Sequence, residues 1–128
     1  MTGTPQPVRV LLVDDEPIFL EALKALLGAD ERVTVVAAAG NGPDAVALAL
    51  ETKPDVALVD LTLPGVGGLE TTRLLLAQEP SMKVVVLSGR YDGTGASDAH
   101  EAGATHFLFK GDLHAEIADA IVDAHLAA

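Results

Sequence analysis

Cysteine and tryptophan are absent from this 128-residue chain, and aromatic residues make up only 3% of it. Without thiols there is no disulfide, no thiolate zinc site and no cysteine nucleophile, a usage that fits a reducing cytosol. With so few rings there is little platform for stacking bases or sugars, and the core has to be aliphatic. Positive charge is scarce as well: eight Lys and Arg stand against nineteen Asp and Glu, a formal net charge of −11. That balance repels phosphate backbones and anionic headgroups, which argues against direct binding of nucleic acid by this chain. No unbroken apolar run approaches the ~20 residues that span a bilayer. Residues 1–7 are polar where a signal peptide needs an apolar stretch. A soluble, cytoplasmic protein with no membrane association is expected.

What remains is ordinary for one globular domain. Apolar residues account for 49% and charged residues for 21%, far from the composition of disordered chains. Val8-Arg9-Val10-Leu11-Leu12-Val13 is short, β-branched and almost wholly apolar, as a parallel strand covered on both faces should be. Similar runs begin near Val33, Asp55, Lys83 and Thr105. Helical spacing separates them: Phe19, Ala22, Leu23, Leu26 and Leu27 recur at three and four, as do Leu113, Ile117, Ala120, Ile121 and Ala124. Pro17 and Pro43 suit first helical turns, while Gly28, Pro54 and Pro80 follow helix ends. Five βα units in succession predict an α/β fold, an open, doubly wound parallel sheet of five strands with helices on both faces.

In such sheets ligands bind beyond the carboxyl ends of the strands. Asp14, Asp15 and Glu16 follow the first strand, Asp60 the third, Ser88 the fourth and Lys110 the fifth. With a strand order of 2-1-3-4-5, Asp14, Asp15 and Asp60 share one crevice. Three close carboxylates repel one another unless a hard, oxygen-preferring cation sits between them, and Mg²⁺ is the natural choice because it retains positions for phosphoryl oxygens. Asp60, beside a metal and an ammonium, is the best nucleophile for phosphorus. Ser88 is placed to hydrogen-bond a phosphoryl oxygen and Lys110 to offset its charge. Each residue alone has a plainer reading: Asp15 or Glu16 before Pro17 can cap a helix, Ser88 can be a turn serine, and Lys110 a solvated lysine. The joint arrangement is what carries the chemistry. His100, His106, His114 and His125 share no ligand spacing with the acids, and Gly65-Val66-Gly67-Gly68 lacks a phosphate-loop lysine and reads as a loop.

These residues resemble the receiver domain of bacterial two-component response regulators, over nearly the whole chain from Val8 to Ala124. The motifs are Leu12-Val13-Asp14-Asp15-Glu16, Asp60-Leu61-Thr62-Leu63-Pro64-Gly65-Val66-Gly67-Gly68-Leu69-Glu70, Val86-Leu87-Ser88-Gly89, and Glu101-Ala102-Gly103-Ala104-Thr105-His106-Phe107-Leu108-Phe109-Lys110. Proline four residues and glycine eight residues after Asp60 match the family loop. The resemblance is greatest to LuxR/NarL-type receivers. It implies a flavodoxin-like (βα)5 fold of order 2-1-3-4-5 over residues 8–128, preceded by an extension at 1–7. It also implies that Asp60 accepts a phosphoryl group from a sensor histidine kinase, with Mg²⁺ held directly by Asp15, Asp60 and the Thr62 carbonyl and by Asp14 mainly through water. Ser88 would close onto the acyl phosphate, Lys110 would contact it, and Phe107 occupies the aromatic switch position. Partners implied are the kinase, a helix-turn-helix effector domain C-terminal to this chain and a second copy in a homodimer.

The resemblance has departures. Gly111 follows Lys110 where many receivers have proline, Leu63 stands for a common methionine, and Phe107 has no tyrosine hydroxyl. Gly89 replaces a common alanine, which predicts easy access of water to the acyl phosphate. The chain is expected to be a switch and not an enzyme. A Mg²⁺-dependent phosphohydrolase using Asp60 is the alternative, although Thr62 breaks the Asp-x-Asp motif of haloacid-dehalogenase-like phosphatases; a receiver-like module that is never phosphorylated is another. Residues 92–102 contain no Leu, Ile, Val, Met or Phe. They predict a fourth helix that is short, mobile or poorly packed, or else a regular helix that starts late, near Ser97.

Overall fold

A computed structural model describes residues 6–90, 92–112 and 116–127 of the chain. Five strands, β1 (Val8–Val13), β2 (Val33–Ala39), β3 (Val56–Asp60), β4 (Lys83–Ser88) and β5 (His106–Phe109), alternate with helices. The helices are α1 (Pro17–Gly28), α2 (Gly42–Thr52), α3 (Gly68–Gln78), α4 (Ala96–Glu101) and α5 (Glu116–Leu126). The strands form one parallel sheet of order β2-β1-β3-β4-β5, so the chain reverses its direction of winding between β1 and β3. This is the doubly wound fold expected from the order of elements. β3 and β5 begin one residue later than Asp55 and Thr105. Leu113 and His114, like residues 1–5 of the N-terminal extension, lie outside the described residues.

The period of two along each strand divides the core in half. Val10, Leu12, Leu58, Val85 and Leu87 face α1 and α5, meeting Leu23, Leu27, Ile117 and Ile121. Leu11, Val13, Ala57, Val59, Val84 and Val86 face the other way, toward Ala45, Ala49, Leu75 and Ala99 of α2, α3 and α4. Because both faces are covered, β3 is buried at every position. Ala22 departs from the expected stripe of α1: the packed positions are Phe19, Leu20, Leu23, Leu26 and Leu27, and this placement turns Ala22 to solvent. Neither acid before Pro17 caps α1 through its side chain. Glu16 is the N-cap residue without such a bond, and its own N–H donates to Asp14 Oδ1 at 2.9 Å. Among the described residues no helix is long and apolar enough to cross a membrane.

The fourth helix has six residues and starts late, leaving Gly93 and Gly95 in the preceding loop at positive φ. Ala99 is its one fully buried side chain. A large aliphatic side chain contributes roughly 1.5–3 kcal/mol on burial, and a methyl far less, so little holds α4 to the sheet. A helix of this length has no stability of its own. Hydrogen exchange read by mass spectrometry should therefore show weak amide protection over residues 94–102 and strong protection in α5; equal protection of the two would contradict this account.

Candidate functional site

The sheet brings the expected residues to one edge. Val13 pairs with Val59, which sets Asp14 level with Asp60 on the two central strands. The ladder continues past the strand ends through Asp14 N–H to the Ala39 carbonyl at 3.0 Å and Leu61 N–H to the Leu87 carbonyl at 2.8 Å. Ligand atoms of Asp14, Asp15 and Asp60 all lie within 4.8 Å of one another. Asp14 and Asp60 are buried, while Asp15 is exposed at the rim. Among the described residues no other group of three or more metal-ligating side chains occurs, and His100, His106 and His125 stand apart from this one.

Lys110, in the first turn beyond β5, reaches across to this cluster. Its Nζ lies 2.7 Å from Asp14 Oδ2, 2.8 Å from Glu16 Oε1 and 3.4 Å from Asp60 Oδ2. The same ammonium sits 4.3 Å from the centre of the Phe19 ring, within range of a cation–π contact. Burial raises the Asp60 carboxyl above the usual carboxylate range, the charge of Asp14 adds to the rise, and Lys110 opposes it. Burial works to lower the Lys110 ammonium, but Asp14, Glu16 and Asp60 outweigh it and the net direction is up. The Lys110 hydrogen bond holds the Glu16 carboxyl below its ordinary value.

One buried oxygen exposes what the cluster is short of. Asp14 Oδ2 has the Lys110 charge beside it but no well-directed hydrogen bond. Two buried carboxylates, a third at the rim and a single ammonium leave an excess of hard, anionic oxygen. That donor set fits a hard divalent cation and can hold a metal ion.

The remaining side chains are held locally. Asp60 Oδ1 accepts from Thr62 N–H at 3.2 Å and from the Thr62 hydroxyl at 3.4 Å, which fixes the rotation of the carboxylate. Ser88, buried at the end of β4, accepts from Arg90 N–H at 3.0 Å and donates to the Arg90 carbonyl at 3.4 Å. Phe107 pairs with Val86 and packs, half-buried, against the core on the α4 side. A Cβ at Gly89 would meet nothing within 4 Å.

Two close contacts escaped the reading of the sequence. Gly68 opens α3 so close to the acidic loop that a Cβ there would fall 2.2 Å from the Asp60 carbonyl oxygen, which leaves glycine as the residue that fits. Glu16 and Phe19 contact Lys110, and their spacing of three on the first turn of α1 was the available signal, since it sets both over one face.

Comparison with known proteins agrees with this geometry. Residues 10–122 match the sequence profile of the response regulator receiver domain. The transcriptional regulatory protein LiaR of Bacillus subtilis strain 168 is 39% identical over 114 residues, which are 89% of this chain and 54% of LiaR. The DNA-binding transcriptional activator DevR/DosR of Mycobacterium tuberculosis is 36% identical over 91% of this chain and 54% of its own length. The chain thus spans about half the length of these relatives. Among solved structures, the signal receiver domain of the response regulator NarL from Mycobacterium tuberculosis superposes with a TM-score of 0.90 at 31% identity, covering 97% of this chain and all of that one. A LuxR-family two-component response regulator from Aurantimonas sp. SI85-9A1 gives 0.87 at 34%, covering 93% and 85% of the two chains. With sheet order, acidic crevice and sequence in agreement, this chain belongs to the receiver domain family of two-component response regulators.

Proposed function

We propose that Asp60 is the phosphoacceptor of this domain and that its loading by a sensor histidine kinase, with Mg²⁺, switches the output of a longer regulator. The observation that supports this most is the setting of Asp60: a buried carboxylate at the end of β3, grouped with Asp14 and Asp15 and 3.4 Å from the Lys110 ammonium. An Asp60 carboxylate oxygen attacks phosphorus, the P–N bond to the donor phosphohistidine breaks, and its electron pair leaves with the imidazole, which takes up a proton. Hydrolysis returns the carboxylate and releases inorganic phosphate, so the chain is an acceptor that assists its own loading and unloading, not an enzyme acting on a separate substrate.

Asp15, Asp60 and the Thr62 carbonyl would hold Mg²⁺ directly, and Asp14 mainly through water. When bound, the ion supplies charge neutralisation and a coordination position for a phosphoryl oxygen. Thr62 keeps Asp60 from rotating, Lys110 offsets the transferred charge, and Ser88 exchanges its bond to the Arg90 backbone for one to a phosphoryl oxygen. That exchange pulls on the loop leading into α4, the weakly held element, and Phe107 follows inward beside it. A DNA-binding effector C-terminal to this chain is the output we infer, because the relatives that share the domain are transcriptional regulators about twice as long.

Incubation with acetyl phosphate and Mg²⁺ should add the mass of one phosphoryl group, lost in Asp60→Asn. Continuous release of phosphate from varied esters would instead identify a phosphohydrolase, and no reaction an inert module.

Three further outcomes are expected. Titration with Mg²⁺ should show large losses of affinity for Asp15→Asn and Asp60→Asn and a smaller one for Asp14→Asn; an unaffected Asp15→Asn would refute the ligand set. Because the Asp60 carboxyl is raised in the fold, stability falls as pH climbs from the ordinary carboxylate range through the raised value. Asp60→Asn should therefore melt higher than the wild type at neutral pH without metal. The difference should vanish in acid and shrink when Mg²⁺ is added. Finally, Gly89→Ala, whose methyl the loop accommodates, should lengthen the phosphorylated lifetime by narrowing the approach of water; an unchanged or shorter lifetime would contradict this.

A further inference from the structure

The Lys110 ammonium is ringed by acceptors, yet its one well-directed hydrogen bond goes to Glu16 Oε1, at 2.8 Å. An ammonium carries three N–H groups, and three carboxylate oxygens surround this one, from Asp14, Glu16 and Asp60. Turning toward a phosphoryl oxygen draws the ammonium away from one of these partners. The three are not equivalent. Asp14 is buried and its Oδ2 accepts no hydrogen bond, so taking the ammonium away would strand a buried charge. Asp60 is buried too, and carries the group that Lys110 has to reach. Glu16 is 63% exposed on its side chain, and water can replace the ammonium there at small cost. Phe19 supports the arrangement from the other side: its ring, one helical turn along from Glu16, lies under the ammonium at 4.3 Å and keeps the lysine stem over α1.

We propose that Glu16 and Phe19 are positioning residues that hold the Lys110 ammonium at the mouth of the acidic cluster, beside Asp14, and that Lys110 exchanges the Glu16 carboxylate for a phosphoryl oxygen when Asp60 is loaded. The proposal rests on Asp60 being the phosphoacceptor, and it adds a competing partner whose strength tunes how readily Lys110 is delivered. Glu16 also places a negative charge where an anionic donor approaches. Both effects slow loading, and both are weakened by salt.

Two measurements separate this proposal from the reading beneath it. The first needs no phosphoryl transfer: proton exchange of the Lys110 ammonium, followed by ¹⁵N-edited NMR on the whole chain, should be protected in the wild type. It should be faster in Glu16→Gln and in Phe19→Leu, with backbone spectra otherwise retained. Unchanged exchange in both variants would overturn the positioning role. The second is the initial rate of loading by acetyl phosphate with Mg²⁺. Glu16→Gln should load about two- to fivefold faster than the wild type at low ionic strength, the factor that an exposed ion pair is worth. The gap should close as salt rises. Glu16→Asp, too short to reach Lys110 but still charged at the mouth, should fall between the two. A Glu16→Gln rate equal to or below the wild type would overturn the exchange of partners. If the wild type takes up no phosphoryl group, the phosphoacceptor reading fails, while the ammonium measurement still decides whether Glu16 and Phe19 seat the lysine.

Discussion

The structure depends on keeping several negative charges together at one edge of a sheet. Two of those carboxylates are out of contact with water, and the compensating charge described there is one ammonium delivered from the other end of the chain. Burying a charge is costly unless it is paired, and pairing three acids with one lysine leaves the edge electrostatically unfinished. Such a site is stable only on a rigid support. β1 and β3 supply it, with aliphatic side chains packed on both faces and adjoining at the point where the winding reverses. An excess of anionic oxygen held in fixed positions is a demand for a cation, and a receiver domain converts that demand into chemistry on phosphorus.

Rigidity is not spread evenly around the edge. On the β1–β3 side large Leu, Val and Ile side chains pack together with alanines, and the Asp60 carboxylate is fixed further by the Thr62 N–H and hydroxyl. The close seating of Gly68 against the Asp60 carbonyl belongs to the same firm half. Beyond β4 the support thins to alanine methyls under a helix of six residues. Ser88 lies on the boundary between these halves, and its hydrogen bonds tie it to the loop of the weaker one. A small change of partner at Ser88 acts on the element with least free energy opposing movement, which is the condition for a local event to shift a population. Lys110, directly after β5, has several partners within reach as well, in Asp14, Glu16 and Asp60.

Much of this was legible in the residues alone, and the reason is that it is local. Strand and helix order follow from hydrophobic periods of two and of three to four, which any short window displays, so the strand starts came within a residue. The acids, the serine and the lysine were readable as residues of one sheet edge because each closes or directly follows an apolar run. The brevity of α4 was readable because a stretch without large aliphatic side chains cannot hold a long helix against a sheet. Sequence by itself therefore determined the elements, their order and the side chains that each strand end presents. The tertiary structure decided which strand ends adjoin, and so that Asp14 meets Asp60; it decided that Ala22 turns outward, that Gly68 leaves no room for a Cβ, and that Lys110 rests between Glu16 and Phe19. Lys110 and Glu16 are 94 residues apart in the chain. The spacing of Glu16 and Phe19 sets both over one face, but no local pattern names Lys110 as their partner, because that contact exists only once the sheet has closed and brought β1 and β5 to the same edge.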